Sequence, residues 1–260
     1  MGKRILYIKP SAYATLNGDI RSYLEKYSDV DTEVEVWSMP RGPQHLEYEY
    51  YQALASQEIL KAVLRAEQEG FDAAVIGCFD DPSLDAAREI CRDMVVTGPA
   101  EAAMGLAASL GERFSVIVGR DKWVPRMREN VVKYGHSAHL ASFRPLGLGV
   151  LDFHRDPAFT AQRMREEVRR AITEDKAEVI ILGCTMEFGF FEQLQQEFGV
   201  PVIDVMLAGF KHAEYLAALK QKAGWCTSRV GKYAPPPASE ICDWGIPADY
   251  DLQGLWLAEK

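Results

Sequence analysis

"AAVIGCFDDP", residues 73–82, is a run of small and apolar residues that ends on Gly77-Cys78. A second stretch, "VIILGCTMEF" at residues 179–188, repeats the arrangement around Gly183-Cys184. Short, almost wholly apolar runs bounded by turn signals read as strands buried on both faces, the form strands take in a parallel sheet. Outward from the first lie "RILYIK" (4–9), a polar stretch, "TEVEVWS" (32–38) and a helical pattern from about Leu46 to Glu69. Ile59, Leu60, Val63 and Leu64 share one face of that helix. After the strand "DAAVIG" (72–77) come a helix from Asp81, the strand "DMVVT" (93–97) and the helix "AEAAMGLAASL" (100–110). Around the second stretch lie "FSVIVG" (114–119), a helix across Val124–Tyr134 and a helix from Asp156-Pro157 to about Asp175. Strand "EVIILG" (178–183), a helix, strand "VPVIDV" (200–205) and a helix over 207–220 complete the series. Such alternation predicts an α/β chain with mostly parallel sheets flanked by helices.

The two halves are alike. Each cysteine ends a strand and is followed by a helix, a second strand ("MVVTG" 94–98, "PVIDV" 201–205) and an Ala-rich helix. This predicts two pseudo-symmetric lobes, with the active site in the cleft between them. The expected bounds are 1–100, completed by helix 206–224, for the first lobe and 101–205 for the second. Residues 225–260 are rich in Pro, Gly and aromatics without helical period. They are expected to form an arm over the body or a neighbouring subunit, burying Trp244, Tyr250 and Trp256 in a homo-oligomer.

With 260 residues, 48% hydrophobic and 26% charged, the composition is that of an ordinary globular protein. A net charge of −9 without a basic stripe argues against a nucleic-acid partner. No apolar run approaches the roughly 20 residues of a membrane span, so no membrane partner is expected. The start, "MGKRILYIKPS", is too brief for a signal peptide. Cysteines 78, 91, 184, 226 and 242 form no CxxC pair, which suits free thiols in a reducing cytoplasm. The histidines show no ligand spacing, and His136/His139 reads as an exposed turn rather than a metal site.

In open parallel sheets, ligands bind beyond the carboxyl ends of the strands, where both Gly-Cys pairs lie. Gly77 and Gly183 are expected to let backbone and ligand approach closely. Asp81 is a candidate N-cap with Pro82 at the first helical position, and Thr185 a candidate cap after Cys184. Each thiol would then face free N–H groups, which favour thiolate. Cys91 is expected mid-helix and, with Cys226 and Cys242, structural or incidental. One thiol on each side of a substrate carbon can remove a proton from one face and return one to the other. Backbone N–H groups after each cysteine would stabilise the developing oxyanion.

The chain resembles the aspartate/glutamate racemase superfamily, and within it the hydantoin racemase group. The resemblance covers roughly residues 3–237. It rests on the ordered set "RGPQHLEYEYYQALA" (41–55), "GCFDDPSLDAARE" (77–89), "VVTGPAEAAMGLAASLGERFSVIVG" (95–119) and "VPRMRENVVKYG" (124–135). The set continues with "GVLDFHRDP" (149–157), "AEVIILGC" (177–184), "GVPVIDVMLAGFKHAEYLAAL" (199–219) and "YAPPP" (233–237). It implies flavodoxin-like lobes, no cofactor, no metal, a small-molecule substrate, a homo-oligomer and two catalytic cysteines that match Cys78 and Cys184. Phe79, Asp80, Thr97, Gly98, Thr185 and Met186 match positions that line the family pocket.

Three departures fall at substrate-binding positions. Lys9-Pro10-Ser11 stands where the hydantoin racemase pattern usually has Asn-Pro-Asn. His45 stands in "GPQHL" where a small or aliphatic residue is common. Thr185-Met186-Glu187 replaces Ala-Gly-Met after the second cysteine. The expected activity is cofactor-independent racemisation or epimerisation of a carbon acid, a 5-substituted hydantoin first. The alternatives are an aspartate/glutamate-type amino-acid racemase, a decarboxylase or cis–trans isomerase of the superfamily, or a non-catalytic small-molecule binding protein.

Overall fold

The computed structural model describes residues 2–255, so Trp256 lies outside the described residues. The chain divides into two compact units: residues 1–76, 82–97 and 211–260 form the first, and 77–81 with 98–210 the second.

The first unit holds β1 (Lys3–Lys9), α1 (Asn17–Tyr27), β2 (Thr32–Ser38), α2 (Glu49–Gln68), β3 (Ala73–Ile76), α3 (Leu84–Ile90) and β4 (Val95–Thr97). Its sheet is all-parallel in the order β2-β1-β3-β4, with Ile8 level with Ile76. The second unit holds α4 (Pro99–Leu110), β5 (Phe114–Val118), α5 (Val124–Lys133), β6 (Leu140–Pro145), α6 (Pro157–Thr173), β7 (Val179–Leu182), α7 (Phe191–Phe198) and β8 (Val202–Asp204). Its sheet, β6-β5-β7-β8, is also parallel and has the same order. Both follow the flavodoxin-like 2-1-3-4 order, in which the switch point lies between the first and third strands. Cys78 follows β3 and Cys184 follows β7, each at such a point. The strands are apolar because both faces are covered: every residue of β3 and β7 is buried.

The helix α8 (Val205–Ala223) begins in the second unit and continues into the first. Beyond it, α9 (Ala238–Asp243) and α10 (Ile246–Asp249) are short helices in the arm, where no helical period was legible. The arm lies on its own unit. Arg229 donates to the Arg88 carbonyl (2.7 Å), Arg88 to the Tyr233 hydroxyl (3.2 Å), and Gln57 of α2 to the Tyr250 carbonyl (3.0 Å).

Two elements escaped sequence reading. The helix α1 buries only Ile20 and Leu24, one turn apart, so its polar surface hides the period. The edge strand β6 has every residue half-buried and ends on Pro145, which edge strands tolerate. Asp156 behaves as read: its carboxylate accepts from Phe159 N (3.0 Å) with Pro157 at the first helical position.

Candidate functional site

The turn after β3 departs from the sequence expectation. Helix α3 starts at Leu84, not Asp81, and both Asp81 (φ 47°) and Ser83 (φ 59°) sit in the left-handed region. Asp and Asn tolerate that region better than other L-residues, yet it still costs free energy. The Asp81 side chain turns to a different helix. It accepts the N–H groups of Ala100 and Glu101 in the first turn of α4 (3.0 Å each) and the Tyr134 hydroxyl (2.7 Å). Asp81 is therefore a cap, but for α4. Gly98, just before that helix, must be glycine: a Cβ there would lie 2.4 Å from the Asp81 carboxyl carbon.

Around Cys184 the correction is similar. A 3-10 turn, Thr185–Glu187, follows the cysteine, and the helix begins only at Phe191. The Thr185 hydroxyl caps nothing; it donates to the Gly77 carbonyl (3.1 Å), joining the two Gly-Cys stretches inside the second unit. Gly183 is needed for packing, since a Cβ would meet the Ile117 carbonyl of β5 at 2.7 Å.

The two thiols share an environment. Each sulfur receives the backbone N–H two residues on, from Asp80 for Cys78 and from Met186 for Cys184. The amides expected to face an oxyanion thus face the thiols. The charge of one thiolate acts on the other. Burial dominates both groups. Cys78 is pushed well up, first by loss of water and then by Asp80. Cys184 is also pushed well up, by burial and then by Glu187. The expectation of depressed thiols is overturned: α3 and α7 begin only at Leu84 and Phe191, and loss of water outweighs the single N–H each sulfur receives, so both rest mainly protonated, to be ionised when a substrate changes their surroundings.

Glu187 was noted only as a departure. It has no exposed surface, and the one group that stabilises its charged form is the Cys184 backbone N–H. Burial, with Asp204 nearby, pushes its carboxyl well up. The preceding carbonyl, of Met186, is fixed by His154 Nε2 (2.9 Å), whose ring lies 4.7 Å from that of Phe188.

Of the remaining residues predicted for the site, Phe79, Asp80, Gly98, Thr185 and Met186 fall with both cysteines in the second unit. Lys9, Pro10, Ser11, His45 and Thr97 fall in the first. Lys9, at the carboxyl end of β1, is buried, and its ammonium donates to the Tyr13 carbonyl and lies 4.6 Å from the Tyr13 ring centre. Burial pulls it down to about 8. The Lys9-Pro10-Ser11 turn closes through Ser11 N to Lys9 O (2.8 Å), and Thr97 is fully buried. His45 is half-buried, accepting from Glu47 N (3.4 Å) with its ring against Tyr51. Cys91 caps the end of α3 rather than lying mid-helix, and is buried. Among the described residues no group of three or more His, Cys, Asp or Glu could hold a metal ion, and no helix is long and apolar enough to cross a membrane.

Residues 5–213 match the family model described as Asp/Glu/Hydantoin racemase. A hydantoin racemase from Pseudomonas sp. (strain NS671) is 35% identical over 91% of this chain and 93% of its own. Among solved structures, an allantoin racemase from Klebsiella pneumoniae is 32% identical with a TM-score of 0.85, covering 91% of this chain and 94% of its own. An allantoin racemase from Pseudomonas fluorescens is 30% identical with a TM-score of 0.83, covering 90% and 97%.

Proposed function

The chain belongs to the Asp/Glu/hydantoin racemase family and is an isomerase of the racemase type, and we propose that it inverts the C5 centre of 5-substituted hydantoins with Cys78 and Cys184 as its two acid–base groups. The observation that carries this is the paired arrangement: two half-buried cysteines in one unit, each sulfur receiving an N–H from two residues on, with the Cys78 charge acting on Cys184. The C5 proton lies beside a ring carbonyl, so its removal gives a planar enolate. One thiolate removes the proton and leaves as thiol; the other thiol donates its proton to the opposite face. No cofactor or metal is required by this sequence of steps. Allantoin, a hydantoin with a ureido group at C5, belongs to the same substrate class, and two solved allantoin racemases share this fold.

Single-enantiomer 5-benzylhydantoin, allantoin, aspartate and glutamate, incubated in deuterated water, test the reading by polarimetry and mass spectrometry. The expected result is loss of rotation with one deuterium at C5 of the hydantoins. Inversion of the amino acids alone would replace this reading with the aspartate/glutamate-type one. In the same assay Lys9→Asn and His45→Ser are expected to shift the ratio of anionic to neutral substrate turnover by about tenfold, the order of one charged hydrogen bond. Unchanged ratios would remove both residues from substrate selection. The proposal includes a homo-oligomer built through the arm, where Trp244 and Tyr250 are exposed. Light scattering of the full chain against one ending at residue 224 reads it out: equal oligomer number in both rules it out.

A further inference from the structure

The turns that follow the two cysteines are built alike. In the first, the Asp81 N–H closes onto the Cys78 carbonyl (3.0 Å); in the second, the Glu187 N–H closes onto the Cys184 carbonyl (2.9 Å). In each, the residue two beyond the cysteine gives its N–H to the sulfur: Asp80 to Cys78, Met186 to Cys184. The carbonyl of that same residue is held by a side chain from a distant element. Asn130 Nδ2 of α5 donates to the Asp80 carbonyl (3.0 Å), and His154 Nε2, from the segment before α6, donates to the Met186 carbonyl (2.9 Å). N–H and carbonyl flank one Cα, and only φ and ψ turn there. A grip on the carbonyl therefore restrains the aim of the N–H.

Both donors are themselves fixed. Asn130 is almost fully buried, and Tyr134, four residues on, donates to the Asp81 carboxylate of the same turn (2.7 Å). His154 follows the fully buried Phe153 and precedes the Asp156 cap of α6 by two residues. Its segment is closed by Gly149 N to the Asp152 carboxylate (3.0 Å) and Arg155 N to the Asp152 carbonyl (3.0 Å). Its ring rests against those of Phe188 (4.7 Å) and Phe190 (5.8 Å). A carbonyl only accepts, so Nε2 carries a proton whether the ring is neutral or charged, and the bond survives titration of the ring. The turns are also pinned elsewhere: the first by the Asp81 carboxylate on α4, the second by Thr185 on the Gly77 carbonyl and by Gly189 N on the Asp204 carboxylate (3.3 Å). What Asn130 and His154 add is the aim of one N–H each.

We propose that Asn130 and His154 are matched positioning residues, one for each thiol: Asn130, through the Asp80 carbonyl, aims the Asp80 N–H at Cys78, and His154, through the Met186 carbonyl, aims the Met186 N–H at Cys184. This rests on the two-thiol reading above and adds to it what steadies each thiolate as it forms. Both thiols rest protonated in surroundings poor in water, so each needs a donor already in place when its proton leaves. An N–H aimed in advance costs no reorganisation at that moment. The division of labour is strict, because each donor grips the turn of one cysteine alone.

Alkylation of the intact protein by iodoacetamide from pH 6.5 to 10, followed by mass spectrometry of the two cysteine peptides, tests it without an activity assay. Asn130→Leu and His154→Phe keep the bulk of the side chain, and so keep water out, while removing the donor. Asn130→Leu is expected to slow Cys78 about fivefold, and His154→Phe to slow Cys184 about fivefold, the order of one neutral hydrogen bond. Each should leave the other cysteine at its own rate. His154→Gln, whose amide donor can stand near the place of Nε2, should restore most of the Cys184 rate. Because the Nε2 proton is present in both states of the ring, the slowing by His154→Phe should be the same at every pH. Slowing of both cysteines by one variant, no slowing of the matched cysteine, or no rescue by His154→Gln overturns the proposal. So does an effect that fades above neutral pH, which would mark His154 as acting by its charge. If Asn130→Leu does not fold, the half-buried His154 decides by itself, and an unslowed Cys184 in His154→Phe overturns the proposal. Racemisation surviving in Cys78→Ser or Cys184→Ser would instead sink the two-thiol reading, leaving the crossed alkylation pattern to judge Asn130 and His154.

Discussion

Cys78→Ser and Cys184→Ser are each expected to abolish racemisation, by at least the 10²–10⁴-fold, roughly, that removal of a general acid or base produces. A serine hydroxyl keeps the shape but is far too weak an acid–base group near neutral pH. The losses should differ in kind. With one thiol gone, the survivor still reaches one face of the substrate and can exchange that proton with solvent. Each variant is therefore expected to wash deuterium slowly into one enantiomer only, and the favoured enantiomer should differ between them. Because burial raises both thiols, the rate in the unaltered enzyme should climb as pH rises above neutrality, as the thiolate fraction grows. Cys91→Ser should be almost silent in this assay, since Cys91 is the residue that ends α3, in the first unit, apart from the unit that holds Cys78 and Cys184. Chiral chromatography in deuterated water reads all three. Substantial inversion in either of the first two returns both cysteines to core packing.

Strand identity, sheet class and the paired Gly-Cys ends were legible because they depend on local apolar runs and on their repetition. The buried stretches "AAVI" and "VIIL" leave no other reading. What was hidden depends on contacts distant in sequence. Asp81 followed by Pro82 reads as a local cap, yet its carboxylate serves α4, across a stretch that no periodicity crosses. The partners of the turn that carries Cys78 are likewise long-range: Asn130 of α5 donates to the Asp80 carbonyl (3.0 Å) and Tyr134, just beyond it, to the Asp81 carboxylate. The spacing of Asn130 and Tyr134 was present as polar residues four apart, a signal that marks a solvated helix face as readily as a functional one. Only the burial of Asn130 separates the two. Thiol acidity was misjudged for the same reason: desolvation is set by everything packed around the sulfur, whereas the helix dipole was inferred from neighbours in the chain. Glu187 shows the remaining gap, because nothing in "CTMEF" says whether a glutamate points to water or into a dry interior.

Asp81→Ala is expected to cost about 3 kcal/mol of stability and most of the activity. Two helix-capping bonds to α4 are worth about 1–2 kcal/mol, and the Tyr134 hydroxyl adds about 1.5 kcal/mol as a bond to a charged or strongly polar group. Alanine also fits the left-handed backbone at this position poorly, while glycine does not resist it. Asp81→Gly should therefore recover the strain and leave only the loss of caps, so its denaturant midpoint should fall between those of the alanine variant and the unaltered protein. Asp81→Asn should keep the geometry and change the pH dependence. Burial pushes the Asp81 carboxyl up to about 7, against the lowering effect of its three hydrogen bonds. The folded state then holds this proton more tightly than the unfolded chain. Its contribution is full below about pH 4 and is lost as pH rises through about 7. Urea midpoints measured from pH 5 to 8 should fall for the unaltered protein and stay flatter for Asp81→Asn. Parallel slopes would show that Asp81 is ionised throughout, and that its three donors outweigh its burial. The same turn carries Cys78, so loss of activity should track loss of this cap: alkylation of Cys78 should become faster in Asp81→Ala, as the loosened turn admits water to the thiol, while Cys184 keeps its rate.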